Sequence, residues 1–177
     1  MTDLSDDSME YRTKRTILKI ILEITALLAI GWVAGAEIGS WFGIQPIVER
    51  LPYEQQVNLE QQMLKSFGKV MPVVMPFSAV VAIVLAVFSR NEPSVIIWLR
   101  LIAVGCIIIT IVTTLTINVP INNLTVKWEL TENFEKWSQM RARWHLFQGV
   151  RGGLFFVSFT LLTIASIIQR HYYPQRS

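Results

Sequence analysis

The sequence predicts an all-α integral membrane protein, a four-helix transmembrane bundle with two amphipathic helices in the long loops between helices 1–2 and 3–4. Three observations predict it. The 177 residues are 52% hydrophobic and 16% charged, with a mean hydropathy of +0.43, above what a water-soluble domain of this length carries. Four apolar runs are each long enough to cross a hydrocarbon core of about 30 Å, which takes roughly 20 helical residues. None of the four alternates strictly between apolar and polar, so barrel strands are excluded and helices remain the only way across.

Taken in order, residues 1–15 read as a polar, mobile tail, followed by a first span at about 16–42. Ala34-Gly35-Ala36 looks like a signal-peptide cleavage site. Against cleavage stand the acidic leader, Glu23 inside the apolar run, and hydrophobicity continuing through Trp41 and Phe42, so the span is read as retained. Gly31, Gly35, Gly39 and Gly43 recur every fourth residue, which gives a stripe where another helix of the bundle, or of a second copy in a homo-oligomer, can approach closely. At about 100° per residue, Glu37 lies nearly opposite that stripe. In the loop that follows, Leu51-Pro52 opens an amphipathic helix with Leu59, Met63, Phe67 and Val70 on its apolar face.

The second span, 70–88, begins with Met71-Pro72 and Met75-Pro76, whose missing N–H donors can kink the helix and open space beside it. Ser89 to Pro93 is a tight polar turn that makes the second span and the third, 94–119, antiparallel neighbours. Between 120 and 151 a second amphipathic helix is expected, capped by Thr131. Glu132 and Glu135 come early in it, and Lys136, Arg141 and Arg143 late, as the helix dipole favours. Leu130, Phe134, Trp137 and Trp144 share one of its sides, and it can run straight into the fourth span, 152–168, before a tail at 169–177.

Four crossings put both termini on one side. That side carries Arg12, Lys14, Arg15, Lys19, Arg90, Arg170 and Arg176 in short segments, while the eight Lys and Arg of the other side are spread over nearly twice as many residues. Charge density therefore favours cytoplasmic termini. The net charge of +3 suits flanks that face a lipid bilayer and is too small and too dispersed for a nucleic-acid partner. Cys106 is the only cysteine and there are two histidines, so neither a disulfide nor a His-rich metal site can form within one chain. Nucleotide-binding glycine loops, zinc-protease and nucleophile-elbow motifs are also missing.

An ionisable group at membrane depth is costly and so needs a partner or a function. Glu23 and Arg100 lie about two turns inside the first and third spans from the same side, where an ion pair that fixes packing is the simpler reading. Glu37, Asn118, Asn122 and Arg151 lie near the opposite boundary, each beside a long loop. They can converge on one pocket roofed by the amphipathic helices. Alternatively Arg151 snorkels, the asparagines cap the third helix and Glu37 bonds to one of them. Met71, Met75 and His145 offer copper ligands, but methionines at helical spacing are ordinarily packing, and no metal is expected.

Asn118-Val119-Pro120-Ile121-Asn122, then Trp128, Trp137, Arg141-Ala142-Arg143-Trp144 and Val150-Arg151, resemble the anthrone oxygenase-like family of four-helix membrane proteins, most of them of unknown function. A small-residue first span with an acidic residue, Gln45-Pro46, Leu51-Pro52 and Met71-Pro72 agree, and the resemblance covers about residues 25–168. It implies that dioxygen oxidises an activated aromatic methylene to a quinone without metal, flavin or nicotinamide cofactor. The substrate would be a flat, lipophilic phenol arriving from the bilayer. On that view Glu37 or His145 removes a proton and Asn118, Asn122 and Arg151 hold the oxyanion. Trp128, Trp137 and Trp144 offer faces for stacking, or else form an interfacial aromatic belt. One place departs from the family pattern: Gln148 stands three residues before Arg151, where the pattern has histidine or asparagine, and it can donate a hydrogen bond but cannot act as a base. The competing class is a non-catalytic membrane protein that binds a small hydrophobic ligand or serves as an assembly subunit.

Overall fold

A computed structural model describes the backbone of residues 3–172 and the side chains of Lys14 and residues 16–172. Arg12, Arg15 and Arg176 of the charge comparison, and residues 173–177 of the C-terminal tail, lie outside the described side chains or residues. The described residues are helical and contain no strand: α1 (Asp3–Gly39), α2 (Gln45–Val48), α3 (Tyr53–Phe88), α4 (Ser94–Thr113), α5 (Val119–Val126) and α6 (Phe134–Tyr172). Two π-helical segments, Ser40–Ile44 and Thr114–Asn118, join α1 to α2 and α4 to α5 without a break. The chain is therefore four long rods, each long and apolar enough to cross a membrane.

Several sequence expectations change here, the first being the tail, whose residues 3–15 are the start of α1. The amphipathic helices are not separate elements in the loops. Residues 53–69 are the first half of α3 and residues 134–151 the first half of α6, the helix running on through Gly68, Pro72 and Pro76 in the one and through Gly149, Gly152 and Gly153 in the other. Pro72 and Pro76 consequently lie in mid-helix rather than at a helix start. The α6 cap also moves, from Thr131 to Asn133, whose Oδ1 accepts the Glu135 backbone N–H at 2.8 Å.

Buried positions follow alternating three- and four-residue steps. On α6 they run Trp137, Arg141, Trp144, Gln148, Arg151, Phe155, Ser158, Leu162 and Ala165; on α1 they run Glu23, Ala26, Ile30, Val33, Glu37 and Ser40. That spacing is the seam of a helical bundle. Its middle is apolar, with Ile30, Leu85, Ile107 and Phe155 at its centre, and polar residues replace apolar ones toward both ends. Each π segment ends two residues before a proline, Pro46 or Pro120. Proline lacks the N–H and crowds the carbonyl four residues back. The helix widens instead, so that Gln45 N–H bonds the Ser40 carbonyl and Val119 N–H bonds the Thr114 carbonyl, five residues away. The extra residue resets the seam, turning Gln45 and Asn118 inward where Ile44 and Ile117 would otherwise point.

The rods run up, down, up, down in a ring, with α6 packed on α1 and α4, and α3 packed on the same two. The expected glycine stripe is not the main close contact. A Cβ on Gly35, Gly39 or Gly43 meets nothing within 4 Å, and only Gly31 is approached, by Phe159. The tight crossing of α1 with α6 uses α6 glycines instead: a Cβ on Gly149 would sit 2.9 Å from the Trp41 ring, and one on Gly152 would sit 3.3 Å from the Glu37 Cβ. At the end that carries the termini, Arg100 is fully buried and donates to Glu23 across the α1/α4 diagonal, to Ser89 Oγ, and to Gln169 Oε1 at 2.7 Å. Lys19 and Glu92 form a second ion pair there.

Candidate functional site at the loop end

The opposite end of the bundle encloses a cavity of about 270 Å³. Its wall is mostly apolar, with Met63, Leu64, Phe67, Met71, Met75, Ile111, Leu115 and Trp144, and its polar residues are Glu37, Ser40, Glu60, Thr114, Asn122, Gln148 and Arg151. Phe67, Gly68, Pro72, Leu115 and Val119 are lining residues that are also exposed, so the cavity reaches the apolar outer surface between α3 and the α4–α5 rod. Pro72 and Pro76 form part of this side, where each proline leaves a backbone carbonyl one turn earlier without its usual donor.

Two carboxylate–guanidinium pairs meet the cavity. Arg151 Nη2 donates to Glu37 Oε2 at 2.7 Å, both side chains buried, and the missing side chain of Gly152 lets α1 come close enough for the pair to form. Arg141 Nη2 lies 2.6 Å from Glu60 Oε1 and joins α6 to α3 across the other diagonal. The Arg141 guanidinium also stacks 4.3 Å from the Trp144 ring centroid and 5.9 Å from that of Trp137. A polar chain fixes the rest. Gln148 Nε2 donates to Ser40 Oγ at 3.1 Å, Trp144 Nε1 to Asn122 Oδ1 at 2.6 Å, and Asn118 Nδ2 to the Trp144 carbonyl at 3.4 Å.

Several buried polar atoms here have no partner among the described residues: both amide atoms of Gln45, Asn118 Oδ1, Gln148 Oε1, Arg141 Nε and Nη1, and Arg151 Nε. Each such atom costs about 1–3 kcal/mol. The terminal end has two, Glu92 Oε2 and Arg100 Nε. Unused hydrogen-bonding capacity is thus concentrated beside the cavity.

Of the residues singled out in the sequence, Glu37, Asn122, Trp144, Gln148 and Arg151 line the cavity. Asn118 is fully buried behind it and holds the Trp144 backbone. His145 is not on the wall. Its Nδ1 lies 2.9 Å from Glu49 Oε1 and its Nε2 lies 3.8 Å from Glu60 Oε1. Trp128 and Trp137 are removed from it as well, packed on each other at 5.3 Å between centroids, with Tyr53 and Val57. Trp128 Nε1 donates to Tyr53 OH at 2.8 Å, and these rings tie α6 and the 127–133 loop to the start of α3. Met71 and Met75 line the cavity without His145, and among the described residues no group of three or more His, Cys, Asp or Glu side chains is placed to hold a metal ion.

Sequence reasoning missed Glu60 and the inward face of Arg141. The signal was present in the spacing. Val57, Glu60, Leu64, Phe67 and Met71 step by three and four into the buried Met75 and Ser78 of the same rod, and Arg141 sits between Trp137 and Trp144 on the α6 seam.

A family model described as anthrone oxygenase matches residues 63–161, just over half of the chain. No curated protein and no solved structure matches it. The matched stretch contains Asn118, Asn122, Arg141, Trp144, Gln148 and Arg151, whereas both cavity carboxylates, Glu37 and Glu60, come from the residues before it.

Proposed function

The chain belongs to the anthrone oxygenase family, and from that premise we propose that it is a cofactor-independent oxygenase that converts the activated methylene of a lipophilic aromatic substrate to a ketone, as in anthrone to anthraquinone. The reaction balances as a methylene and a molecule of dioxygen giving a ketone and a molecule of water. The observation that supports this reading is an apolar cavity whose wall carries the Glu37–Arg151 pair, the Glu60 carboxylate and the amides of Asn122 and Gln148. At about 270 Å³ its volume lies just below the usual range of small-molecule pockets, roughly 300–1,000 Å³.

The Glu37–Arg151 pair is suited to the first step. When a methylene proton moves from carbon to the Glu37 carboxylate, the negative charge moves to the substrate oxygen, conjugated with that carbon. Arg151 then faces an oxyanion in place of the carboxylate, so charge is relocated beside an existing cation and no new isolated charge is buried. Asn122 and Gln148 offer amide donors, and Trp144 offers an aromatic face. The electron-rich carbanion form is the species that reacts with dioxygen, forming the carbon–oxygen bond. Loss of water from the resulting hydroperoxide leaves the ketone.

The exposed lining residues between α3 and α4–α5 give a flat apolar substrate a way in from the bilayer. With the termini in the cytoplasm, as charge density favours, the cavity lies toward the opposite membrane face. The test uses the full-length protein purified in mild detergent, with oxygen uptake measured on a panel of anthrones and hydroquinones. Uptake that is lost in Glu37→Gln and in the paired exchange Glu37→Leu with Arg151→Met, while both variants accumulate, supports the reading. A wild-type protein that consumes no oxygen with any of them overturns it in favour of ligand binding without chemistry.

A further inference from the structure

Glu60 is a second buried carboxylate on the cavity wall, and it is the only one with a titratable side chain leading away from it toward the surface. Its Oε1 is paired with Arg141 at 2.6 Å and faces His145 Nε2 at 3.8 Å. That Nε2 is buried and has no hydrogen-bond partner among the described residues. The other ring nitrogen, Nδ1, lies 2.9 Å from Glu49 Oε1, and the Glu49 side chain is 62% exposed. Cavity, Glu60, imidazole and exposed carboxylate therefore form one line through the roof of the bundle. The 3.8 Å step is longer than a hydrogen bond, as catalytic contacts often are before a substrate is bound.

The chemistry can use such a line, although the net reaction neither takes protons from water nor releases them. Oxidation of a methylene to a ketone moves two protons from one carbon to the single oxygen that leaves as water, while four electrons pass from carbon to the two atoms of dioxygen. Glu37 holds one proton at a time. We propose that Glu60 is a second catalytic carboxylate of the cavity, exchanging protons with the bound substrate, and that His145 and Glu49 link it to water at the loop end. In the outward direction the substrate C–H bond breaks and a Glu60 O–H bond forms. Glu60 then passes its proton to His145 Nε2 while the Nδ1 proton leaves for Glu49, so the imidazole ends neutral as its other tautomer. The inward direction reverses each transfer. The inference rests on the oxygenase reading for its substrate, but proton exchange needs no dioxygen and is measured apart from it.

The full-length protein in detergent is incubated with anthrone under argon in deuterium oxide, and deuterium in the substrate methylene is read by mass spectrometry above a protein-free background. The wild type is expected to accelerate exchange. Glu60→Gln is expected to slow it about a hundredfold, within the range of general acid–base contributions. Because Glu60→Gln also strips Arg141 of its partner, the milder His145→Ala and Glu49→Gln carry the test, each expected to slow exchange about tenfold. Added imidazole is expected to restore His145→Ala, which a packing role would not allow. The proposal is overturned if both milder variants exchange at the wild-type rate, or if the wild type exchanges no faster than background. A wild type that exchanges under argon, depends on His145 and consumes no oxygen in air overturns the oxygenase reading and leaves the relay standing.

Discussion

The two ends of the bundle use the same chemistry to different effect. At the terminal end, Arg100 is wrapped by Glu23, Ser89 and Gln169, directly above the apolar middle of the seam, and none of the four lines the loop-end cavity. At the loop end, Glu37, Arg151 and Glu60 line a cavity, Glu60 being paired with Arg141, and several polar atoms nearby have no partner among the described residues. Both π segments lie at this end and turn Gln45 and Asn118 inward. A buried ion pair alone does not distinguish structure from function, because either use must offset the same desolvation. The difference lies in what surrounds the pair: close packing with few unpaired atoms in one case, space and more spare hydrogen-bonding capacity in the other.

This contrast can be broken first at Arg100. Arg100→Ala leaves Glu23 as an unpaired buried charge and is expected to cost about 3–5 kcal/mol, seen as lost accumulation or a lower unfolding temperature in detergent. Replacing both partners, Glu23→Leu with Arg100→Met, is expected to recover that stability and retain turnover. The corresponding exchange at the other end, Glu37→Leu with Arg151→Met, is expected to retain stability and abolish turnover. If both double variants behave alike, the two ends are not different in kind.

Glu37→Gln is the next largest effect, a fall in turnover of about a hundredfold or more with near-normal accumulation, read by oxygen uptake. Gly152→Ala tests how the pair is positioned. A new Cβ at 3.3 Å from the Glu37 Cβ makes its neighbour on α1 give way by a few tenths of an ångström. It is expected to cost about 1–3 kcal/mol and to raise KM or lower kcat by displacing the carboxylate. Gly35→Ala is the smallest: with nothing within 4 Å of the added Cβ, the helix is expected to gain about 0.5–1 kcal/mol. A loss of stability that grows on dilution would instead place a second copy against that stripe.

Much of the frame was legible in the sequence. The four spans, the Ser89 to Pro93 turn, the pair Glu23 with Arg100, and the convergence of Glu37 and Arg151 at one end follow from apolar run length and from the cost of charge at depth. The continuity of α3 and α6 was harder to see, because a drop in hydropathy near residues 70 and 152 looks like a helix boundary when it only marks where the surroundings change. Glu60 was hidden for a related reason. The apolar residues Leu59, Met63, Phe67 and Val70 drew the face of that helix toward themselves, but the buried side is set by Val57 and Glu60, with a carboxylate inside. The π segments were signalled only by Gln45-Pro46 and Val119-Pro120, and proline alone does not say whether a helix will stop, bend or widen. Trp128 and Trp137 could not be assigned to cavity or brace from spacing, since both uses need the same buried ring.

At 1.5 Å per residue the 39 residues of α6 make a rod roughly 58 Å long, about twice the thickness of a hydrocarbon core. The cavity sits where that rod changes from its more polar first half to its apolar second half. A substrate that enters between α3 and α4–α5 is supplied from a two-dimensional reservoir, together with dioxygen, which dissolves better in hydrocarbon than in water. The relevant concentration is then the mole fraction of substrate in the lipid or micelle. At fixed amounts of protein and substrate, adding detergent or lipid is expected to slow turnover by surface dilution, whereas doubling the buffer volume is expected to leave it unchanged.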